Sequence, residues 1–125
     1  MVKGVNRVVL MGNLTADPEL RYTPSGSAVA NFRLAVNRAY RDAEGELKED
    51  TQFLTVVSWG KTAELCTQYL NKGRAVLVEG RINVRDYEKE GERRWVTEVV
   101  ANRVVFLGAP EGGGAEVTAD DVPFY

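Results

Sequence analysis

A chain of 125 residues holds one domain with its own core and is too short for two ordinary ones. At 44% apolar and 27% charged it has the balance of a soluble globular protein, and no run approaches the ~20 apolar residues of a membrane-spanning helix. A single cysteine, Cys66, excludes an internal disulfide, and the lack of any histidine removes the usual general base and the commonest metal ligand.

The formal charge of -2 hides a division. Residues 1–107 carry all 16 cations against 14 of the 18 acids, a net of +2, while the last 18 residues carry four acids and no base. A weakly basic body with an acidic tail suits a protein that binds a polyanion and recruits partners. The N-terminus is basic and then apolar, but the apolar run is short, breaks at Gly12-Asn13 and precedes no cleavage site. A cytoplasmic, nucleoid-associated protein with no membrane contact is expected.

In chain order, residues 5–14 are rich in β-branched and aliphatic side chains and read as a strand. Asp17-Pro18 and Thr23-Pro24-Ser25-Gly26 punctuate a connection. Residues 28–38 alternate, with Ala30, Phe32, Leu34 and Val36 on one face, as a half-buried strand does. A polar loop over 41–50 leads to a third strand, 51–59, in which neither face is polar, so both sides are expected to be covered. Residues 61–72 change to a helical pattern with Thr62 as cap, an inward stripe of Leu65, Tyr69 and Leu70, Cys66 packed on the core and Gly73 as the stop. A fourth strand, 74–87, turns Val76, Val78, Ile82 and Val84 inward, and Gly80 marks a bend or a close backbone approach. A hairpin turn at 89–92 leads to the last strand, 93–107. Beyond it the periodicity stops: Gly112-Gly113-Gly114 is a short linker before an acidic, apolar tip.

The order strand, strand, strand, helix, strand, strand is the plan of the oligonucleotide-binding (OB) fold, an all-β, five-stranded barrel with one helix between strands 3 and 4. Another β-barrel carrying an incidental helix is the weaker alternative. The expected domains are 1–107 for the barrel and 108–125 for the linker and disordered acidic tail.

Four aromatic residues stand two positions from a cation, and so on its face of a strand: Arg38/Tyr40, Trp59/Lys61, Arg85/Tyr87 and Arg93/Trp95. Rings beside cations suit a single-stranded nucleic acid, whose bases stack and whose phosphates seek charge. With 16 cations in 125 positions some such pairs arise by chance, so placement on one surface decides the matter.

The runs GVNRVVLMGNLTADPELRYTPSGSAVANFRLAVNR, TVVSWGKTAEL…YLNKGRAVLVEG and RRWVTEVVA, with DDVPF near the end, resemble the bacterial-type single-stranded DNA-binding protein family over nearly all of residues 3–107. The resemblance implies a homotetramer of OB barrels around which single-stranded DNA wraps with little sequence preference, in replication, recombination and repair. Carried over by position, the stacking residues are Tyr40, Phe53, Trp59 and Tyr87, two of them tyrosine where the family often has tryptophan. The expected phosphate contacts are Lys3, Arg7, Arg33, Arg41, Lys61, Lys72, Arg74 and Arg85. Trp95 is undecided between core and surface.

The tip Asp120, Asp121, Val122, Pro123 and Phe124 looks like the family's docking motif for DNA-maintenance proteins. Here Tyr125 follows Phe124 and displaces the terminal carboxylate by one residue, and the linker is shorter than the family's. No catalytic residue, metal or cofactor is expected. An accessory module of a primosome or RNA-handling complex is a competing function, and a nuclease on a β-barrel is another. The DDVPF tip speaks against the first; the lack of histidine and of a clustered acidic site speaks against the second.

Overall fold

The computed structural model describes residues 1–108 and the backbone of Val117–Thr118. Its strands are β1 (Val8–Leu14), β2 (Glu19–Tyr22), β3 (Ala28–Arg41), β4 (Leu47–Trp59), β5 (Ala75–Lys89), β6 (Glu92–Leu107) and β7 (Val117–Thr118). One helix, α1 (Gly60–Tyr69), joins β4 to β5. The expected third and fourth strands are therefore β4 and β5, with the helix between them as the sequence pattern implied.

The barrel closes in the order β1-β5-β6-β4-β3 and back to β1. All pairings in this ring are antiparallel except β4 with β6, where Val56 and Val57 lie parallel to Val99 and Val100. β2 adds an edge beside the start of β3, and β7 pairs with Val105 and Phe106. Closure brings backbones close at two glycines. A Cβ on Gly12 would lie 2.2 Å from the carbonyl oxygen of Ala35, and one on Gly80 would lie 2.1 Å from that of Val100. The expected role of Gly80 is borne out.

The core holds Phe32, Leu34, Val56, Val76, Val78, Val104 and Phe106, with Leu65 and Cys66 from α1 and Leu70 at its C-cap. A smaller cluster sets Ala63 of the helix against Ala28 and Ala30, where small side chains let α1 approach the sheet. On β6 the buried set is Val99 and Ala101, then Val104 and Phe106. The change of phase falls where Glu79 pairs with Arg103 but Gly80 with Ala101, a bulge in which Asn102 is the extra residue of β6 in the register.

Several expectations are corrected. β1 starts at Val8, not residue 5. The connection before β3 contains β2, of which only Leu20 packs inward, against the small cluster. The polar loop at 41–50 shrinks to a turn because β3 and β4 continue as a two-stranded ribbon, paired as far as Arg41 with Leu47. Thr62 is buried inside α1 and does not cap it; the N-cap is Trp59, with no side-chain capping bond. The helix ends at Tyr69, whose side chain is exposed, and Gly73 (φ 89°) forms the following turn, its N–H donating to the Leu14 carbonyl. Ile82 and Val84 do not reach the core; they are exposed where β5 and β6 run on past the barrel as a second ribbon. That ribbon closes at Glu90-Gly91, both at positive φ, the conformation of a two-residue hairpin turn.

Candidate nucleic-acid interface

The face of the sheet opposite the core is continuous across four strands. Odd positions of β3 (Val29, Asn31, Arg33) and β4 (Phe53, Thr55, Val57, Trp59) stand side by side through the pairs Val29–Trp59, Asn31–Val57 and Arg33–Thr55. Val57 then neighbours Val100 of β6, which is paired with Arg81 of β5. Asn83 pairs with Glu98 and Tyr87 with Arg94 on the same face of the second ribbon. β2 supplies Arg21, paired with Val29.

At the centre is an open cleft of about 430 Å³ between Trp59 on one wall and Arg81 and Arg85 on the other, with Arg21, Asn31 and Asn83 around it. Trp59 is half exposed at the junction of β4 and α1, held against Val29. A flat ring and three arginines lining one trough can hold a base and its flanking phosphates without reading a base edge. Phe53 lies six residues before Trp59 on the same face of β4, at the mouth of a smaller hollow with Thr15 and Arg33. The Arg33 guanidinium stands 5.3 Å from the Phe53 ring centroid, a cation–π contact.

The sequence-proposed residues divide accordingly. Phe53, Trp59 and Tyr87 share the outer face. Tyr40 does not: on β3 it alternates with Val36 and Arg38, on the other face of the first ribbon. A chain passing from Phe53 to Tyr40 must round the ribbon's edge. Trp95 pairs with Asp86, so it lies on the face opposite Tyr87. It is exposed and is neither core nor part of the platform.

Of the four ring–cation pairs, Arg38 lies 4.7 Å from the Tyr40 centroid and Arg93 5.9 Å from that of Trp95. Arg85 reaches Glu98 at 3.0 Å, and Lys61 reaches Glu64 at 3.8 Å.

Among the other cations, Arg33 and Arg85 border the outer face, while Lys3 lies in the exposed N-terminal segment. Arg7 is 3.9 Å from Glu79, and Arg41 donates to the Gly45 carbonyl across the turn. Lys72 is exposed beside Asp17, which accepts its backbone N–H. Arg74 is half-buried, and its guanidinium donates to the carbonyls of Tyr69 and Leu107, tying the end of α1 to β6.

Residues 5–107 match the model of the single-strand binding protein family. The chain belongs to that family. It is 44% identical over 116 residues to single-stranded DNA-binding protein 1 of Chlorobaculum tepidum, covering 91% of this chain and 72% of the relative. It is 50% identical over 113 residues to the single-stranded DNA-binding protein of Bacillus cereus, covering 90% and 65%. The fold superposes on the Plasmodium falciparum SSB, solved in complex with ssDNA, with a TM-score of 0.79 at 30% identity over 86% of this chain and 99% of that one.

Arg21, Arg81, Asn31 and Asn83 were not singled out by sequence reasoning as contact residues. Arg81 and Asn83 sit in the outward row of β5 beside Arg85, so alternation alone could have found them. Arg21 could not be placed without β2. Among the described residues one carboxylate group, Asp42, Glu44 and Glu46, draws together in an exposed turn. Asp42 Oδ1 there accepts the backbone N–H groups of Glu44 and Glu46, which is how such a turn closes itself. The docking tip 120–124 lies outside the described residues.

Proposed function

We propose that this protein binds and protects single-stranded DNA, without strong sequence preference and without catalysis or cofactor, in DNA replication, recombination and repair. The observation that carries the reading is the continuous outer face on which Trp59 opposes Arg81 and Arg85 across the cleft while Phe53 and Tyr87 extend the row of rings. Family membership and the ssDNA complex of the Plasmodium falciparum relative support it. In this reading Tyr40, Phe53, Trp59 and Tyr87 stack bases, and Arg21 and Arg81 join Lys3, Arg7, Arg33, Arg41, Lys61, Lys72, Arg74 and Arg85 in neutralising phosphates. Residues 1–107 are the binding domain of a homotetramer in the bacterial cytoplasm, on the nucleoid. Residues 108–125 are linker and tip, and Asp120, Asp121, Val122, Pro123 and Phe124 capture DNA-maintenance proteins.

The test is titration of the chain with a labelled oligothymidylate at several salt concentrations, its molar mass in solution measured alongside. Duplex DNA and single-stranded RNA of matched length serve as comparisons. The proposal expects tight binding to single-stranded DNA, a log K falling with log salt by ~0.7 per phosphate neutralised, and a mass of four chains. Equal affinity for duplex would sink the reading. Preference for RNA would move it to the RNA-handling class, and cleavage of the strand in magnesium would make the protein an enzyme.

A further inference from the structure

The cleft has an anion in its wall. Glu98 is only 6% exposed, and its Oε1 accepts a hydrogen bond from Arg85 Nε at 3.0 Å and a longer one from Asn83 Nδ2 at 3.4 Å. On a surface that receives phosphates, a buried carboxylate is unfavourable by simple electrostatics, since it repels the ligand and is costly to desolvate.

The way it is engaged gives it a use. Glu98 takes the inner Nε–H of the guanidinium, while the Arg85 side chain as a whole remains 56% exposed. A guanidinium is a rigid fork, so fixing its Nε edge also fixes the direction of the terminal nitrogens. Arginine is otherwise a floppy side chain whose ordering opposes binding. Asn83, paired across the strands with Glu98, braces the carboxylate from the side.

We infer that Glu98 is a positioning residue for phosphate recognition: it holds Arg85 with its terminal nitrogens presented to the cleft before the strand arrives. This rests on the nucleic-acid reading above and adds to it a buried acid whose removal weakens binding to a polyanion. The sign is what separates the two views. If Glu98 were merely a buried negative charge, Glu98→Gln would tighten binding. If it orders Arg85, Glu98→Gln loosens it although the site becomes more positive.

The experiment measures oligothymidylate affinity of wild type, Glu98→Gln, Arg85→Ala and the double variant, with thermal unfolding as a check that each folds. The expectation is a loss of about two- to tenfold for Glu98→Gln, the cost of ordering one released arginine, and no loss from the same change when Arg85 is already alanine. Tighter or unchanged binding in the first case, or an equal loss in both, overturns the inference.

A second measurement works without any variant. The Arg85 Nε–H should give a resolved, slowly exchanging NMR signal in the free protein; rapid exchange there also refutes it. Failure of wild type to bind single-stranded DNA would instead sink the functional reading and leave this signal to decide whether Glu98 holds Arg85.

Discussion

Replacing Trp59 with alanine tests the outer face most directly. The indole is 50% exposed, so about half of its surface, roughly 100 Å², is buried against neighbours such as Val29. At ~25 cal/mol per Å² that burial is worth at most about 2.5 kcal/mol to the fold, and alanine keeps part of it. Trp59 occupies the N-cap of α1 without a side-chain bond, so no cap is lost. A domain with the usual ~5–15 kcal/mol of stability remains folded at 25 °C.

The lost base stack costs ~1–3 kcal/mol, which is about 5- to 150-fold in affinity. Anisotropy of a labelled oligothymidylate reads this without relying on the altered tryptophan, and thermal melting confirms the fold. Trp95→Ala is the control, since Trp95 is more exposed than Trp59 but lies on the opposite face of its ribbon. Affinity within twofold of wild type for folded Trp59→Ala, or an equal loss for Trp95→Ala, would refute the assignment of faces.

Three further outcomes are expected. Arg33→Ala should weaken binding and make the slope of log K against log salt shallower by about 0.7, because Arg33 leaves the Phe53 ring to meet a phosphate when a base replaces it; an unchanged slope removes Arg33 from the contacts. Gly80→Ala sets a methyl 2.1 Å from the Val100 carbonyl oxygen, against backbone that no side-chain rotation can move aside, and should cost about 2–4 kcal/mol in denaturant unfolding. A cost below about 1 kcal/mol would mean that the barrel is not closed so tightly there. Burial pushes the Cys66 thiol up to about 12, against a smaller lowering by its hydrogen bond with Ser58, so an aromatic disulfide reagent at pH 8 should label it only on unfolding. The same shift means that stability from this group is lost as pH rises from 9 towards 12, where the unfolded thiol ionises and the buried one does not. Rapid labelling of the native protein would contradict its burial.

Alternation exposed the strands wherever one face meets the core, as in Ala30, Phe32 and Leu34. It gave no signal where β3 and β4 run out beyond residues 38 and 51, because residues such as Ala39, Arg41, Lys48 and Glu49 have solvent on both sides. It also misplaced Ile82 and Val84: a period of two tells which side chains share a face, not whether anything lies against that face. Separating Tyr87 from Trp95 needed the register of β5 on β6. The Arg33–Phe53 contact joins two strands and is invisible to any spacing rule within one. The aromatic row was legible because its members carry a family resemblance; that Arg81 and Arg85 stand opposite Trp59 became visible only once the barrel had closed.

The bulge at Asn102 makes β6 sensitive to length in a way that its side chains are not. Its first half turns Val99 and Ala101 inward, and its second half Val104 and Phe106, with one extra residue separating the two phases. Removing that residue would restore an unbroken ladder and turn one half of the strand inside out. Insertions and deletions in this family should gather in the turns at the ends of the two ribbons and leave the middle of β6 uncut.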